Sequence, residues 1–257
     1  MNEELVSLLI NPYTGNALKR EGDSLVDRST GEKFPIRDGV PFILREDEVT
    51  GLNREYQQKY DWLCYFYDFM ADYLAPLFGA EEVFNDIAEN IEVDDGDWVL
   101  ETSIGTGKQV ENLLKAGKRG RFFGLDISRG MLKKCRRNAQ QWDCQVELVQ
   151  GNAETLPFQD EIFDMVFHIG GINFFNDKEK AIHEMIRVAR PGARLYVGDE
   201  TEQLLDEQPS LFNRFYQDPG TELYAPPLDL IPDEMENVNE QYLWDDKMYL
   251  ISFEKPE

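Results

Sequence analysis

The sequence predicts an α/β protein: a doubly wound, mostly parallel seven-stranded sheet whose last strand is antiparallel, preceded by a small β-rich module. Three observations carry this. Apolar runs of strand length alternate with helix-length amphipathic runs between residues 98 and 200. The first run, Trp98-Val99-Leu100, stops at Glu101 and is followed by Gly105 and Gly107, one residue apart, and then a helical pattern over 108–115. The second run, 121–125, ends in Asp126, roughly 20 residues past the glycine turn.

Strand, glycine turn and helix make the layout of a nucleotide-binding βα unit. Glycines let the backbone pass close to a ligand where a Cβ would collide, and a helix start offers unpaired N–H groups to a negative ligand group. A carboxylate accepts two O–H donors at once, so Asp126 suits a ribose hydroxyl pair. The other reading of Asp126 is a cap for the helix that begins near Ile127-Ser128.

The module covers residues 1–48, and the larger α/β domain covers 49–257 with an insertion at about 202–232. Within 5–44, turn signals (Asn11-Pro12, Thr14-Gly15, Thr30-Gly31, Asp38-Gly39) separate short strand-like runs. Residues 50–79 are dense in aromatics, among them Tyr56, Tyr60, Trp62, Tyr65, Tyr67 and Tyr73, at helical spacing. Such a stripe is expected to pack in a core, with some rings left to line a pocket. A helix is expected over 81–91, closed by Asp94-Asp95-Gly96.

The alternation continues. Met131 to Trp142 is a basic amphipathic helix whose Lys133, Lys134, Arg136 and Arg137 form a solvated face. Val146 to Gln150 is the third strand and Phe163 to His168 the fourth, apolar enough for a buried parallel strand. Asp177 to Val188 is a helix ending at Arg190-Pro191-Gly192, and Ala193 to Val197 is the fifth strand. Residues 202–232, with five prolines and several aromatics, break the pattern and read as a lid or acceptor-site insertion. Val238 to Trp244 and Met248 to Phe253 form an antiparallel pair closing the sheet edge.

Composition narrows the function. The 257 residues hold 42% hydrophobic side chains, enough for a sizeable core. The net charge of −24 repels phosphate backbones, so nucleic acid is a poor partner. Residues 199–257 carry sixteen acids against three bases, which serves solubility or attracts a cationic substrate. No apolar run approaches the roughly 18 residues of a membrane span, and the acidic start is no secretory signal. Cys64, Cys135 and Cys144 are too few and too scattered for a disulfide framework or a metal site. A cytoplasmic protein without metal is expected, and the hydrophobic module is compatible with a homo-oligomer.

Five blocks carry a resemblance: VLETSIGTG at 99–107, FFGLDISRGML at 122–132, GNAETLPF at 151–158, FDMVFHIGGINFF at 163–175 and EMIRVARPGARLYVGDE at 184–200. In this order and spacing the chain resembles the methyltransferases that use S-adenosylmethionine on a Rossmann-like fold, and among them the ubiquinone/menaquinone-biosynthesis type. The resemblance implies that Glu101, Ser103, Gly105 and Gly107 hold the methionine and ribose part of the cofactor. Asp126 holds the ribose hydroxyls, Ile127 and Met131 touch the adenine, and Asn152 and Ala153 meet its edge. His168 flanks the methionine portion, faces the acceptor, and is the candidate general base. Tyr67 and Asp68 match a "YD" element at the cofactor's amino-acid end. The family's usual glycine is replaced by Ser103, and its acceptor-contacting histidine motif by Gly170-Gly171-Ile172-Asn173.

Residues 8–44 resemble the zinc ribbon that precedes some bacterial methyltransferase domains. Its four thiolates are replaced by Asn11, Thr14, Asp27 and Thr30, which removes the reason for zinc to bind and leaves hydrogen bonds to brace the loops. The implied activity is direct methyl transfer to a small hydrophobic or aromatic metabolite, giving S-adenosylhomocysteine. The alternatives are a non-catalytic binding or scaffold protein on the same fold, or transfer of another group from the same cofactor.

Overall fold

The computed structural model describes residues 2–69, 80–142, 144–207 and 224–257, and only the backbone of 65–69, 80–84 and 205–207. The aromatic side chains at 65–78 and most of the 202–232 insertion therefore lie outside the described residues.

A short helix, α1 (Glu3–Leu8), leads into an antiparallel meander: β1 (Leu18–Glu21), β2 (Ser24–Asp27), β3 (Lys33–Arg37) and β4 (Val40–Pro41). The sequence reading gave no helix at 3–8. Its Asn2 caps the first turn through the Leu5 N–H at 2.7 Å, and Leu5, Val6 and Leu8 face inward.

Asn11, Thr14 and Thr30 converge on Asp27, which is fully buried. Its Oδ2 accepts from Asn11 Nδ2 at 3.0 Å and Thr14 Oγ1 at 2.8 Å; its Oδ1 accepts from the Ser29 N–H at 2.9 Å and the Thr30 N–H at 3.3 Å. Burial alone would raise this carboxyl. The donors from Thr14, Asn16, Asn11 and Ser29 outweigh it and hold the group well below the usual carboxylate range. Asn11 also reaches Glu32 at 2.8 Å, and Glu32 pairs with Arg45. A hydrogen-bonded hub now ties the loops together.

Helix α2 (Gly51–Phe69) and α3 (Ala80–Asn90) precede the main sheet. Then follow β5 (Trp98–Glu101), α4 (Lys108–Lys115), β6 (Arg121–Asp126), α5 (Arg129–Ala139), β7 (Val146–Gln150), β8 (Phe163–Ile169), α6 (Lys178–Val188), β9 (Ala189–Glu200), α7 (Glu202–Glu207), β10 (Glu236–Leu243) and β11 (Met248–Glu254). The seven strands lie in the order β10-β11-β9-β8-β5-β6-β7. Strands β7, β6, β5, β8 and β9 are mutually parallel, and β11 runs against both its neighbours.

The helices form because their apolar residues recur on one face. In α6, capped by Asp177, Ala181, Ile182, Met185 and Val188 are buried. In α5, Met131, Leu132 and Cys135 are buried while Lys133, Arg136 and Arg137 stay exposed. One cluster of buried side chains joins α3, α4 and α5 on one sheet face. The other joins α6 to Leu5, Leu9, Leu25, Phe34 and Ile43 of the module. The module is also stitched on by backbone: Ile43 N donates to Gln150 O at 2.9 Å and Ile10 N to Pro157 O at 3.0 Å.

One expectation is corrected. Arg190-Pro191-Gly192 does not close the helix ahead of the strand; it lies inside β9, which starts at Ala189. The register with β8 jumps from Phe163↔Ala189 to Met165↔Arg194, so the extra residues form a bulge, with Gly192 at φ +74°.

Candidate functional site

The parallel strands β5, β6 and β8 end side by side, and their tips carry the polar residues of the site. Glu101, at the tip of β5, is in register with Gly124 of β6; Asp126, two residues further on, projects from the same sheet face. Both carboxyls are buried. Glu101 Oε2 has no hydrogen-bond partner among the described residues. Burial, and then the charge of Asp126, push Glu101 well above the usual carboxylate range.

Asp126 is bound on two sides. Its Oδ2 accepts the Gly105 N–H at 2.8 Å and its Oδ1 the Ser128 N–H at 2.7 Å. Burial pushes its pKa up to about 6 against these donors, with a further upward push from Asp61. The helix cap of α5 is Ser128, whose Oγ accepts from the Met131 N–H at 3.2 Å. Asp126 thus organises the glycine turn and the cap residue together.

The two glycines do different work. Gly105 has φ +54° with open space where a Cβ would stand. Gly107 has φ +84°, but a Cβ there would lie 2.5 Å from the Trp142 ring and 2.9 Å from Cys135 Sγ. Trp142 and Cys135 thus leave no room for a side chain at Gly107. Ser103 is absent from the positive-φ residues, so serine sits there without backbone strain.

His168 is fully buried near the tip of β8. Its Nδ1 lies 3.2 Å from Thr102 Oγ1, its ring meets Phe175 edge-on at 5.1 Å, and its Nε2 has no partner. Burial pulls its pKa down to about 3. Ile127 is half-buried, Met131 and Ala153 are buried, and Asn152 accepts the Glu154 N–H at 2.9 Å. The side chains of Tyr67 and Asp68 lie outside the described residues.

Sequence reasoning missed the groups that roof these tips. Helix α2 presents Asn53, Gln57 and Asp61 at i, i+4 and i+8. Asn53 donates to Glu154 at 2.8 Å, Gln57 to the Ile127 carbonyl at 3.3 Å, and Asp61 accepts from Ser128 Oγ at 2.6 Å and the Gly130 N–H at 2.7 Å. Tyr56 stacks on Phe174 at 4.1 Å. The polar stripe at helical spacing inside an aromatic segment was the available signal. Trp62, counted with the core stripe, is exposed at 62%. Asp199, near the end of β9, is buried. It accepts the N–H groups of Gly171 at 3.1 Å and Asn173 at 2.9 Å and fixes the turn after β8. Thr102 was also missed, and it steers the His168 ring.

Residues 100–197 match the family described as "Methyltransferase domain". The chain is 33% identical over 163 residues to the ubiquinone/menaquinone biosynthesis C-methyltransferase of Francisella tularensis subsp. novicida, covering 62% of this chain and 61% of that one. It is 33% identical over 141 residues to the demethylmenaquinone methyltransferase of Renibacterium salmoninarum, covering 50% and 57%. The chain thus spans a little over half the length of these relatives. Among solved structures, an S-adenosyl-L-methionine-dependent methyltransferase-type protein of Methanococcus maripaludis superposes with TM-score 0.58 at 16% identity, over 83% of this chain and 98% of that one. The [4+2]-cyclase SpnF superposes with TM-score 0.55 at 14% identity, over 69% and 81%. These two likenesses concern the fold alone. The strand order and the acid-tipped β5 and β6 agree with these likenesses: residues 100–197 are similar to the methyltransferase domain family, on a Rossmann-like fold.

Proposed function

We propose that the protein is an S-adenosylmethionine-dependent methyltransferase acting on a small, hydrophobic or aromatic acceptor. The observation that carries this reading is the pair of buried carboxylates, Glu101 and Asp126, at neighbouring strand tips, with Glu101 Oε2 unpartnered. Leaving such an oxygen buried and unpaired is costly unless a ligand supplies a donor or a positive charge. The cofactor carries an ammonium, a sulfonium and a ribose diol, so the donor set fits it. The open space at Gly105 fits it too.

In this reading Glu101, Ser103 and Gly105 hold the amino-acid and ribose portion. Asp126 takes the ribose hydroxyls, Ile127 and Met131 line the adenine, and Asn152 and Ala153 meet the ring edge. Gly107 keeps the turn in place from behind. When bound, the cofactor supplies a strongly electrophilic methyl group. The protein's own task is then to align the acceptor with it and to exclude water. α2 serves the second purpose by bridging from Glu154 to the start of α5. With its pKa near 3, His168 stays neutral and is a weak base at neutral pH. We assign it to orienting the bound groups through Nε2, held in place by Thr102, rather than to removing the acceptor's proton. The unit of residues 1–48 braces the β7 edge beside the adenine side, while 49–257 carries the site.

The relatives are named for quinone biosynthesis, and for this chain the aromatic residues near α2 and in the insertion support a ring-bearing acceptor. The cyclase shows that the fold hosts other chemistry, so acceptor mass is the deciding measurement. Calorimetric titration with S-adenosylmethionine and S-adenosylhomocysteine tests the first half. Micromolar binding to wild type that collapses in Asp126→Ala supports it, and no binding of either ligand overturns it. A gain of one CH₂ on an acceptor supports methylation; a larger adduct overturns it.

A further inference from the structure

Among the described residues, Thr201, Glu202, Gln203, Tyr224, Tyr242 and Asp246 chiefly line an open cleft of about 400 Å³ just past the tip of β9. No lysine or arginine is among its lining residues. The nearest cation in sequence, Lys247, is turned onto the Trp244 ring at 5.3 Å. Thr201 Oγ1 donates to the Asp246 carbonyl at 2.6 Å and Thr201 N to Lys247 O at 2.8 Å, which fix the β10–β11 turn against the end of β9.

The cleft is joined to the strand tips. Tyr242, Tyr249 and Asp199 stand in register across β10, β11 and β9 and share one sheet face. Tyr249 is 1% exposed and its hydroxyl has no hydrogen-bond partner. Asp199, at the far end of the row, holds the turn after β8. On the other side, burial and then the neighbouring Tyr224, Glu55 and Glu200 hold the Tyr56 phenol up, so the cleft wall adjoins the Tyr56–Phe174 stack.

We infer that this cleft receives the cationic end of the acceptor, a small organic ammonium on an apolar body. Tyrosine faces attract such a cation through their ring quadrupole, and the carboxylates of Glu202 and Asp246 supply the opposite charge. A phenolate or carboxylate ligand would meet two like charges and no cation among the described lining residues. The inference deepens the methyltransferase reading by naming the acceptor's charge, and it rests on that reading for calling the occupant an acceptor.

The test uses choline and its neutral isostere 3,3-dimethylbutanol as probes, titrated into the full chain with and without S-adenosylhomocysteine and followed by ligand-observed NMR. Choline is expected to bind in the millimolar range, at least tenfold tighter than the isostere. The Glu202→Gln/Asp246→Asn double variant is expected to erase that preference while S-adenosylhomocysteine affinity is unchanged, and Tyr242→Ala to weaken choline severalfold. Equal binding of the two probes, or a preference that survives the double variant, overturns the inference. Failure of S-adenosylhomocysteine to bind, with the choline preference intact, overturns the enzyme reading and leaves the cation cleft standing.

Discussion

Glu101 and Asp126 face the same side of the sheet from adjacent strand tips, and after burial itself the Asp126 charge pushes the Glu101 carboxyl above the usual carboxylate range. Cofactor affinity should therefore depend on pH. The Asp126 pKa lies near 6 in the folded protein against 3.8 ordinarily, and hydroxyl donors stabilise its charged form. Below pH 6 the affinity for S-adenosylhomocysteine should fall about tenfold per pH unit. Near pH 6, binding should release protons. Calorimetry in buffers of different ionisation enthalpy measures that release, and zero release would contradict the assignment.

The same shift sets a stability trend for the ligand-free protein. A carboxyl whose folded pKa is raised favours folding most below its unfolded value and loses that contribution as pH rises through the folded one. The window here runs from about pH 4 to 6, and the loss is roughly 3 kcal/mol, at 1.36 kcal/mol per pKa unit. Urea unfolding across that range should show the decline in wild type and a flatter profile in Asp126→Asn.

His168 should not titrate near neutrality. Its pKa of about 3 keeps the imidazole neutral, so its ring signals in NMR should stay constant from pH 5 to 8. Those of the exposed His183 serve as the comparison. An inflection near 6.5 at His168 would return it to the role of general base.

Gly107→Ala and Gly105→Ala should separate stability from binding. At Gly107 an alanine meets Trp142 and a left-handed backbone together, and a loss of 2 kcal/mol or more is expected. At Gly105 only the backbone term applies, about 1–2 kcal/mol. Its methyl instead intrudes on the open space beside Asp126, so S-adenosylhomocysteine affinity should drop. Equal stability losses would argue against the packing role of Gly107.

Asp27→Ala should lower the thermal midpoint by several degrees, because it leaves the donors of Asn11, Thr14 and Asn16 without their acceptor. Since the Asp27 carboxyl is held low, its contribution is present above its unfolded pKa and should fade as pH drops toward the folded one. Chelator treatment of wild type should leave the midpoint unchanged. A fall on chelation would mean that a metal takes part in the module.

Much of the fold was legible because each element states its own period. Alternation of apolar strand and amphipathic helix located β5 through β8 to within a residue or two. The bulge at the start of β9 was not legible, since Arg190-Pro191-Gly192 reads as a turn in any local window. Helix α1 is six residues long and leans on the module's core, so its own pattern was too short to mark it. Asn53, Gln57 and Asp61 carried a helical period, but their partners lie about 70 to 100 residues away in sequence.

The sequence by itself determined the α/β alternation, the acid at each strand tip and the glycine turn between them, because these depend on residue type and short spacing. Only the tertiary structure decided which groups are spent and which are left over. Asp199 is consumed by the turn after β8, Gly107 by Trp142, and the side chains of Asn11 and Thr14 by Asp27. Glu101 Oε2 and His168 Nε2 remain unpartnered. Whether a buried polar atom has a partner is set by neighbours distant in the chain, and that pairing is what marks the site.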